Sequence, residues 1–151
     1  MTTLFGYLRP MILPLVLAVM LPGCRPGTMP ANIDMKARQM APPAGKGLVY
    51  VYYTAGPVAK IYCGGKYIGK LGKDRYLYTV VSPGFYDFAV DPDDTDQFRI
   101  EIKGDETYYL ELQAEAGFAD VSFEFFRVKD ETARAKMKKC GLTKELGDML
   151  D

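Results

Sequence analysis

Histidine and tryptophan are missing from the 151-residue chain. Without histidine, the chain cannot build a Ser-His-Asp triad, a Cys-His pair or a histidine-ligated metal site. Without tryptophan, it lacks the aromatic side chain that stacks most strongly on cations. These absences exclude the most widespread hydrolytic and metal-dependent mechanisms, and we expect neither an enzyme nor a cofactor.

An excess of charge of either sign is also missing, since 19 basic residues balance 19 acidic ones. Arg9 is the only charged side chain among residues 1–23, so the rest of the chain keeps 18 basic and 19 acidic residues. Nucleic-acid binding and strong attraction to anionic surfaces both depend on a basic excess. The composition therefore predicts no nucleic-acid partner. A hydrophobic share of 48% is enough for the core of one domain.

One uncharged and almost wholly apolar run occupies residues 11–21. A run of eleven residues is too short to cross a hydrocarbon core of about 30 Å as a helix. Its length and the single positive side chain before it match an export signal. We therefore predict that residues 1–23 are a signal peptide.

The apolar run ends in Leu21, Pro22, Gly23 and Cys24. This segment resembles the lipobox of bacterial lipoproteins, in which a leucine and a small residue precede the cysteine; Pro22 departs from the small residue usual at its position. The resemblance implies that Cys24 becomes the first residue of the mature protein and carries acyl chains that hold it stably in the membrane. An ordinary secretory signal with an incidental cysteine is the alternative.

Arg25 follows the cysteine, where an aspartate would resemble an inner-membrane retention signal. The resemblance therefore implies a cell-envelope protein on the outer membrane, facing the periplasm. Residues 25–46 are rich in proline and have neither helical nor strand periodicity, which is typical of a flexible tether. We predict a lipidated cysteine and tether over residues 24–46, several nanometres long, and a folded domain over residues 47–151.

Short β-rich runs separated by turns begin at Gly47. They are rich in valine, tyrosine and phenylalanine, which favour strands. Their spacing predicts an all-β fold of antiparallel sheets, either a sandwich or a barrel, and we favour an antiparallel β-sandwich of about seven to eight strands. The predicted strands are residues 48–54, 58–63, 66–71, 76–81, 85–90, 98–102, 107–113 and 121–128.

One helix is predicted near the C-terminus, packed on the sheets. Asp130 can cap its beginning and Gly141 can end it. Ala133, Met137 and Cys140 fall at helical spacing and form its apolar face.

Cys63 and Cys140 remain as a pair once Cys24 is acylated. Compartments outside the cytoplasm permit disulfides, and Cys140 lies on the helix face that should point at the sheet. We therefore predict a disulfide between Cys63 and Cys140. The alternative is two separate buried thiols, because a sequence cannot show whether two Cα atoms come within bridging distance.

Four aspartates stand close together in one loop, at Asp91, Asp93, Asp94 and Asp96. Carboxylates at this density repel one another unless they are exposed or bridged by a cation. Their spacing fails the EF-hand pattern, so we expect a solvated turn and assign no metal site. Weak calcium binding is the alternative.

The segment that begins at Gly64 has the spacing of a phosphate-binding P-loop, except that Leu71 stands where that loop needs serine or threonine. It also leads from one predicted strand into another, so no helix N-terminus would face a phosphate. Gly64 and Gly65 tolerate positive φ and suit a two-residue turn. We therefore predict a hairpin and no nucleotide.

Two further sets of side chains suggest ligand chemistry. Asp87 and Glu124 could serve a carboxylate-dependent hydrolase if both acids met in one pocket, but nothing in their spacing indicates this. A tyrosine-rich sheet face could bind a glycan or a peptide, although tyrosines in strands more often pack against their neighbours. The tyrosines concerned are Tyr50, Tyr52, Tyr76, Tyr78, Tyr86 and Tyr108.

Six short segments carry a further pattern: residues 47–52, 58–62, 64–69, 82–84, 108–109 and 138–142. They resemble a family of uncharacterised bacterial lipoproteins with an all-β domain of unknown function, whose strand pattern is similar to that of PEGA domains. The resemblance covers residues 45–142, and Tyr53 stands where the family usually has an arginine. It implies the fold and the envelope location and brings no catalytic residues.

The sequence therefore favours a non-enzymatic, membrane-anchored envelope lipoprotein. Its β domain would bind an envelope protein or a cell-wall component through loops or a sheet edge. A glycan-binding module is the alternative, and a hydrolase is less favoured.

Overall fold

The computed structural model describes residues 27–91, 93, 97–118 and 120–147. This part of the chain contains two helices, α1 (Ala31–Arg38) and α2 (Asp130–Met137), and nine strands. The strands are β1 (Gly47–Tyr53), β2 (Ala59–Cys63), β3 (Lys66–Leu71), β4 (Arg75–Val81), β5 (Gly84–Ala89), β6 (Phe98–Ile102), β7 (Thr107–Ala116), β8 (Val121–Val128) and β9 (Gly141–Leu142).

The strands form two sheets, ordered β8-β7-β1-β4-β9 and β3-β2-β5-β6. The predictions of a mostly β fold and of a C-terminal helix are confirmed, with nine strands among the described residues in place of seven or eight. The prediction that the strands are antiparallel throughout is wrong, because β1 pairs with β7 and β4 pairs with β9 in parallel. Between β1 and β7 the chain adds β4 to the first sheet and forms the four strands of the second sheet, and β7 then runs in the same direction as β1.

Strand β1 lies at the centre of the first sheet, and all seven of its residues are buried. Val49, Val51 and Tyr53 belong to a core cluster shared with the second sheet. The residues between them belong to a second cluster, on the opposite face, with residues of both helices. A strand covered on both faces is apolar almost throughout, which explains the unbroken Gly47–Tyr53 run.

Both helices cover the outer face of the first sheet. Ala37 of α1 and Ala133 and Met137 of α2 are buried against tyrosines of β1, β4 and β7. Cys140 belongs to the same cluster, so the apolar face predicted for the C-terminal helix is confirmed. Asp130 is the first helical residue and not the cap, and α2 ends at Met137, before the predicted stop.

The prediction of a flexible tether is wrong for the part of residues 24–46 that the structure describes. Thr28 forms an antiparallel bridge with Thr143, and the amide of Met29 donates to the carbonyl of Leu142 at 2.8 Å. Helix α1 then follows within the predicted tether. An eight-residue helix is too short to be stable alone, so contacts with the domain hold it in place.

Arg38 connects α1 to the end of α2. Its Nη1 donates to the carbonyl of Met137 at 2.8 Å, and its Nη2 donates to the carbonyl of Cys140. Its Nε donates to Oδ2 of Asp34 at 2.8 Å, and the guanidinium lies 4.9 Å from the centre of the Tyr76 ring. The Arg38 side chain thus donates to carbonyl oxygens at and just beyond the C-terminus of α2, where no amide of the helix is available to them.

The C-terminal segment, residues 141–147, closes one side of the domain by adding β9 to the first sheet and contacting β3, an edge strand of the second sheet. Strand β9 pairs with β4 of the first sheet. The amide of Lys70 in β3 donates to the carbonyl of Glu145, and the amide of Gly147 donates to the carbonyl of Ile68, both at 3.0 Å. Gly69 has a φ of +150°, and a Cβ there would lie 2.8 Å from the carbonyl oxygen of Glu145. Glycine is therefore needed where the segment crosses β3.

The predicted hairpin over residues 58–71 is confirmed, because β2 and β3 are antiparallel neighbours. Gly64 and Gly65 have φ values of +56° and +77°, as a two-residue hairpin turn requires. The segment with P-loop spacing is thus strand, turn and strand.

Candidate functional site

Strand β8 is an edge strand, since it pairs with β7 and has no strand on its other side among the described residues. Its eight residues carry three phenylalanines. Phe123 and Phe125 contact the core shared by the sheets, and Phe126 is exposed. A long edge with exposed apolar side chains offers backbone donors and acceptors to another strand.

A groove runs between β8 and the edge strand of the second sheet, β6. It has a volume of about 610 Å³ and is lined by residues 122–127 of β8 with Gln97, Phe98 and Glu115. The rings of Phe98 and Phe125 have centroids 6.4 Å apart, which joins the two sheets at the groove. We call this feature the edge groove.

The two sides of the domain differ in how they are closed. On the β9 side, residues 141–147 contact both sheets, as described above. On the β8 side, no described segment bridges β8 and β6 in this way, and the edge groove lies there instead. The edge groove is therefore placed where one more extended segment would contact both sheets.

The hairpin formed by β7 and β8 extends beyond the neighbouring strand β1. Strand β1 pairs with β7 only as far as Leu112, whereas β8 pairs with β7 as far as Ala116. The last four residues of β7 and the first four of β8 therefore continue for about 13 Å without pairing to β1, although Ala114 and Phe123 still pack against the core. Phe118 lies fully exposed at the tip, and Val121 at the start of β8 is also exposed. We call residues 113–124 the hairpin arm.

Charge is unevenly distributed along this edge. Glu115, Asp120 and Glu124 are exposed on the hairpin arm, while Arg127 and Lys129 are exposed at the other end of β8. The guanidinium of Arg127 lies 4.9 Å from the centre of the Tyr108 ring. The arm is thus acidic around an apolar tip, which disfavours insertion into an anionic membrane and favours a protein surface with basic groups.

The predicted lipidation residue, Cys24, and the lipobox residues Leu21, Pro22 and Gly23 lie outside the described residues. No helix in the described part of the chain is long and apolar enough to cross a membrane. The predictions of export and acylation therefore stay predictions.

The predicted disulfide between Cys63 and Cys140 is wrong in this structure, because the two residues are buried cysteines that are not bridged to each other. Cys63 lies in the core between the two sheets, and Cys140 lies under the helices on the opposite face of the first sheet. The first sheet separates the two sulfur atoms. Burial raises the pKa of the Cys63 thiol to about 12, so it stays protonated and unreactive at neutral pH.

The acidic loop shows one local interaction. Asp91 and Asp93 are exposed, and the amide of Asp93 donates to Oδ1 of Asp91 at 3.0 Å, as in an Asx turn. Asp94 and Asp96 lie outside the described residues. Within the described ranges, no group of three acidic, cysteine or histidine side chains is placed to hold a metal ion.

The tyrosine-rich face is not an exposed surface. Four of the six tyrosines considered above are buried and the other two are partly buried, so no exposed row of rings is formed by Tyr50, Tyr52, Tyr76, Tyr78, Tyr86 and Tyr108. Helices α1 and α2 cover Tyr50, Tyr52 and Tyr76. The observation that would favour glycan binding is therefore absent from this face.

Asp87 and Glu124 do not converge. Asp87 lies in β5 and accepts hydrogen bonds from Nε and Nη2 of Arg99 at 2.9 and 3.1 Å. Glu124 is exposed in β8, which belongs to the other sheet. The pair of acids that a glycoside hydrolase needs is not formed by these residues.

Sequence reasoning missed the side chains that define the edge groove and the hairpin arm. Phe98, Phe123 and Phe125 were expected only as strand residues, since nothing in the sequence shows which strand is an edge. Phe118 follows Gly117 and precedes Ala119 and Asp120 in the sequence between two predicted strands, and an aromatic residue in such a stretch is a signal that could have been noticed.

Comparison with protein-family models, curated proteins and solved structures finds no match for this chain. The geometry of the described residues is therefore the basis for the functional argument.

Proposed function

We propose that this chain is a non-enzymatic, lipid-anchored protein of the bacterial cell envelope that binds an extended segment of a partner protein along β8. In this proposal the two sheets are the layers of a β-sandwich, and the partner segment completes its open side. The observation that supports the proposal most directly is the open edge of β8 beside the edge groove.

The binding mode would be strand addition. Backbone groups of a peptide pair with the free edge of a sheet, and alternate side chains of the peptide enter the adjacent groove. Here Phe98, Phe123 and Phe125 offer an apolar floor. The acidic groups of the hairpin arm, Glu115 and Glu124, favour a segment that also carries lysine or arginine. We therefore expect a peptide with apolar residues at every second position and basic residues near the arm.

The membrane anchor belongs to the same proposal and gives the domain an orientation. Because Thr28 already pairs with Thr143, only residues 25–27 separate Cys24 from the folded domain. Such a short segment spans at most about 14 Å, so the domain would lie against the membrane and not several nanometres from it. Thr28 lies beside β9, and β8 is four strands away, about 19 Å. The edge groove would thus lie on the side away from the anchor.

Membership of the PEGA-like lipoprotein family is part of the proposal and is supported by the sequence segments that carry the resemblance. The glycan-binding and hydrolase alternatives gain no support from the described side chains. A cell-wall ligand of the edge groove is an outcome that the experiment below distinguishes.

The proposal can be tested by selecting peptides from a random library with the full-length protein. We expect the selected peptides to share apolar residues at alternating positions. Phe126→Lys and Phe118→Ser variants should bind them at least about tenfold more weakly, as expected when an aromatic contact at an interface is removed. Phe85→Ser is the matched control, since Phe85 is largely exposed on β5 of the other sheet.

Two results would contradict the proposal. Peptides that bind Phe126→Lys and Phe118→Ser as tightly as the unchanged protein would show that β8 and the hairpin arm do not form the binding site. Retention of isolated cell-wall fragments, with no peptide enriched, would show that a protein segment is not the ligand.

A further inference from the structure

A second cavity lies on the opposite face of the first sheet, between α1 and α2. It has a volume of about 150 Å³ and is lined by Arg38, Tyr50, Tyr109, Arg134, Met137 and Lys138. We call it the aromatic cavity. It shares no residue with the edge groove, and the inference drawn from it does not depend on the proposed function.

The floor of the aromatic cavity is a pair of tyrosines. Tyr50 and Tyr109 are neighbours in the β1–β7 register, and their rings are nearly parallel, 8° apart in orientation, with centroids separated by 5.3 Å. The hydroxyl of Tyr50 donates to the carbonyl of Ala37 at 2.5 Å. Burial raises the pKa of Tyr50 to about 12, so the floor is neutral and apolar at physiological pH.

Among the described residues, the wall of the aromatic cavity carries three cationic side chains, and Asp34 and Asp130 lie beside it as the ion-pair partners of Arg38 and Arg134. Arg38 is held by Asp34 and by the carbonyls of Met137 and Cys140, so it is a fixed charge with its donors in use. Its bonds to these carbonyls also offset the negative end of α2.

Arg134 of α2 and Lys138, which directly follows the helix, lie about one turn apart and remain able to donate. Nε of Arg134 pairs with Asp130, and the guanidinium carbon lies 5.6 Å from the centre of the Tyr109 ring. The carboxylate of Asp130 thus engages one nitrogen of the guanidinium, and Lys138 is exposed at the mouth. A guanidinium and an ammonium beside an aromatic floor suit a carboxylate joined to a flat apolar group.

We propose that the aromatic cavity binds a small carboxylate with a flat apolar body, of which benzoate is the simplest example. The size is suitable, because a cavity of about 150 Å³ accepts a benzene ring. The ring would contact Tyr50, Tyr109 and Met137, and the carboxylate would accept hydrogen bonds from Arg134 and Lys138. A cationic ligand of the same shape would be disfavoured, because Arg38 and Arg134 are paired with Asp34 and Asp130 and Lys138 leaves the cavity wall with a net positive charge.

The test is a titration of the full-length protein with benzoate, followed by the chemical shifts of methyl and aromatic groups in nuclear magnetic resonance spectra. Benzamide serves as the neutral analogue, benzylamine as the cation, and inorganic phosphate as an anion without a ring. We expect saturable shifts at Met137 with benzoate alone, at concentrations up to about 10 mM, since so small a ligand binds weakly.

Variants locate the site. Arg134→Gln and Lys138→Gln should each weaken benzoate binding by about tenfold, the usual effect of removing one charge-assisted hydrogen bond. Lys60→Gln is the matched control, because Lys60 is exposed on β2 of the other sheet, and it should bind benzoate unchanged. Thermal unfolding of each variant shows that the fold is retained.

Several results would overturn the proposal. Equal binding of benzamide would show that the charge is not recognised, and equal binding of phosphate would show that the ring is not recognised. Unchanged affinity in Arg134→Gln and Lys138→Gln would place the ligand elsewhere. Absence of any saturable shift with benzoate would show that the aromatic cavity is packing space between two helices.

Discussion

Replacement of Arg38 by methionine tests whether the segment before the β domain is folded onto it. Arg38 donates charge-assisted hydrogen bonds to Asp34 and to the carbonyls of Met137 and Cys140, and its side chain is only 27% exposed. Each such bond contributes about 1.5–3 kcal/mol, and partial exposure reduces this value. We therefore expect Arg38→Met to lower the free energy of unfolding by about 3 kcal/mol.

The matched control is Arg99→Met. Arg99 also forms a two-point ion pair, with Asp87, but its side chain is 70% exposed. An exposed pair contributes less than about 1 kcal/mol. In urea denaturation with an m-value of about 2 kcal/mol/M, Arg38→Met should lower the midpoint by about 1.5 M and Arg99→Met by less than about 0.5 M. Equal shifts in the two variants would refute the reasoning that α1 is fixed to the domain.

The effect of Arg38→Met should also depend on pH. Burial disfavours the charged form of Asp34, but hydrogen bonds from Arg38 and from the amide of Leu142 outweigh it and hold the pKa of Asp34 below its ordinary value of 3.8. A lowered pKa in the folded state stabilises the fold above the unfolded-state pKa, and this stability is lost as the pH falls through the folded-state value. The difference in the free energy of unfolding between the unchanged protein and Arg38→Met should therefore become smaller below about pH 4.

Two further predictions concern the closure of the β9 side and the buried thiols. Gly69→Ala should destabilise the fold by about 2–3 kcal/mol in chemical denaturation, because its Cβ would meet the carbonyl of Glu145. Gly45 also has a positive φ, but a Cβ there would meet open space, so Gly45→Ala should lower the free energy of unfolding by only about 1 kcal/mol. Equal losses of stability in the two variants would contradict the contact with the carbonyl of Glu145. A thiol reagent should reach Cys63 and Cys140 only on unfolding, and a reductant should leave the melting temperature unchanged. A melting temperature lowered by the reductant would indicate a disulfide.

The strands of this domain were predictable because each is a short apolar run between turn residues. The bounds of β3, β6 and β8 agree with the prediction to the residue, since Gly64-Gly65 and the polar loops mark their ends. The apolar face of α2 was predictable from the spacing of Ala133, Met137 and Cys140. These features depend on local patterns that a single sequence contains.

Contacts between segments distant in sequence were not predictable. Helix α1 lies in a proline-rich stretch and is stabilised by Arg38, whose partners Met137 and Cys140 are about a hundred residues away. The parallel pairing of β1 with β7 and the two-residue strand β9 leave no local signal. The disulfide prediction was wrong for the same reason, because nothing in the sequence shows that the first sheet separates Cys63 from Cys140.

The candidate site was unpredictable in a different way. Whether Phe126 and Phe98 belong to central or edge strands depends on sheet order, which is a property of the whole fold. The exposure of the tyrosines could not be judged from the sequence, because one of the helices that cover them is α1, which was not predicted. Only Phe118, an aromatic residue within a turn, could have been identified from the sequence as an exposed contact.

Amide hydrogen exchange of β8 in the presence of a selected peptide tests the central claim most directly. The account predicts that alternate amides of residues 121–128 become protected when the peptide binds, because they begin to donate to the added strand. Residues 141–147 already cover the edge of β3, so the amides of β3 should keep their exchange rates. If the peptide protects β3 or the loops and leaves β8 unchanged, binding by strand addition to β8 is contradicted.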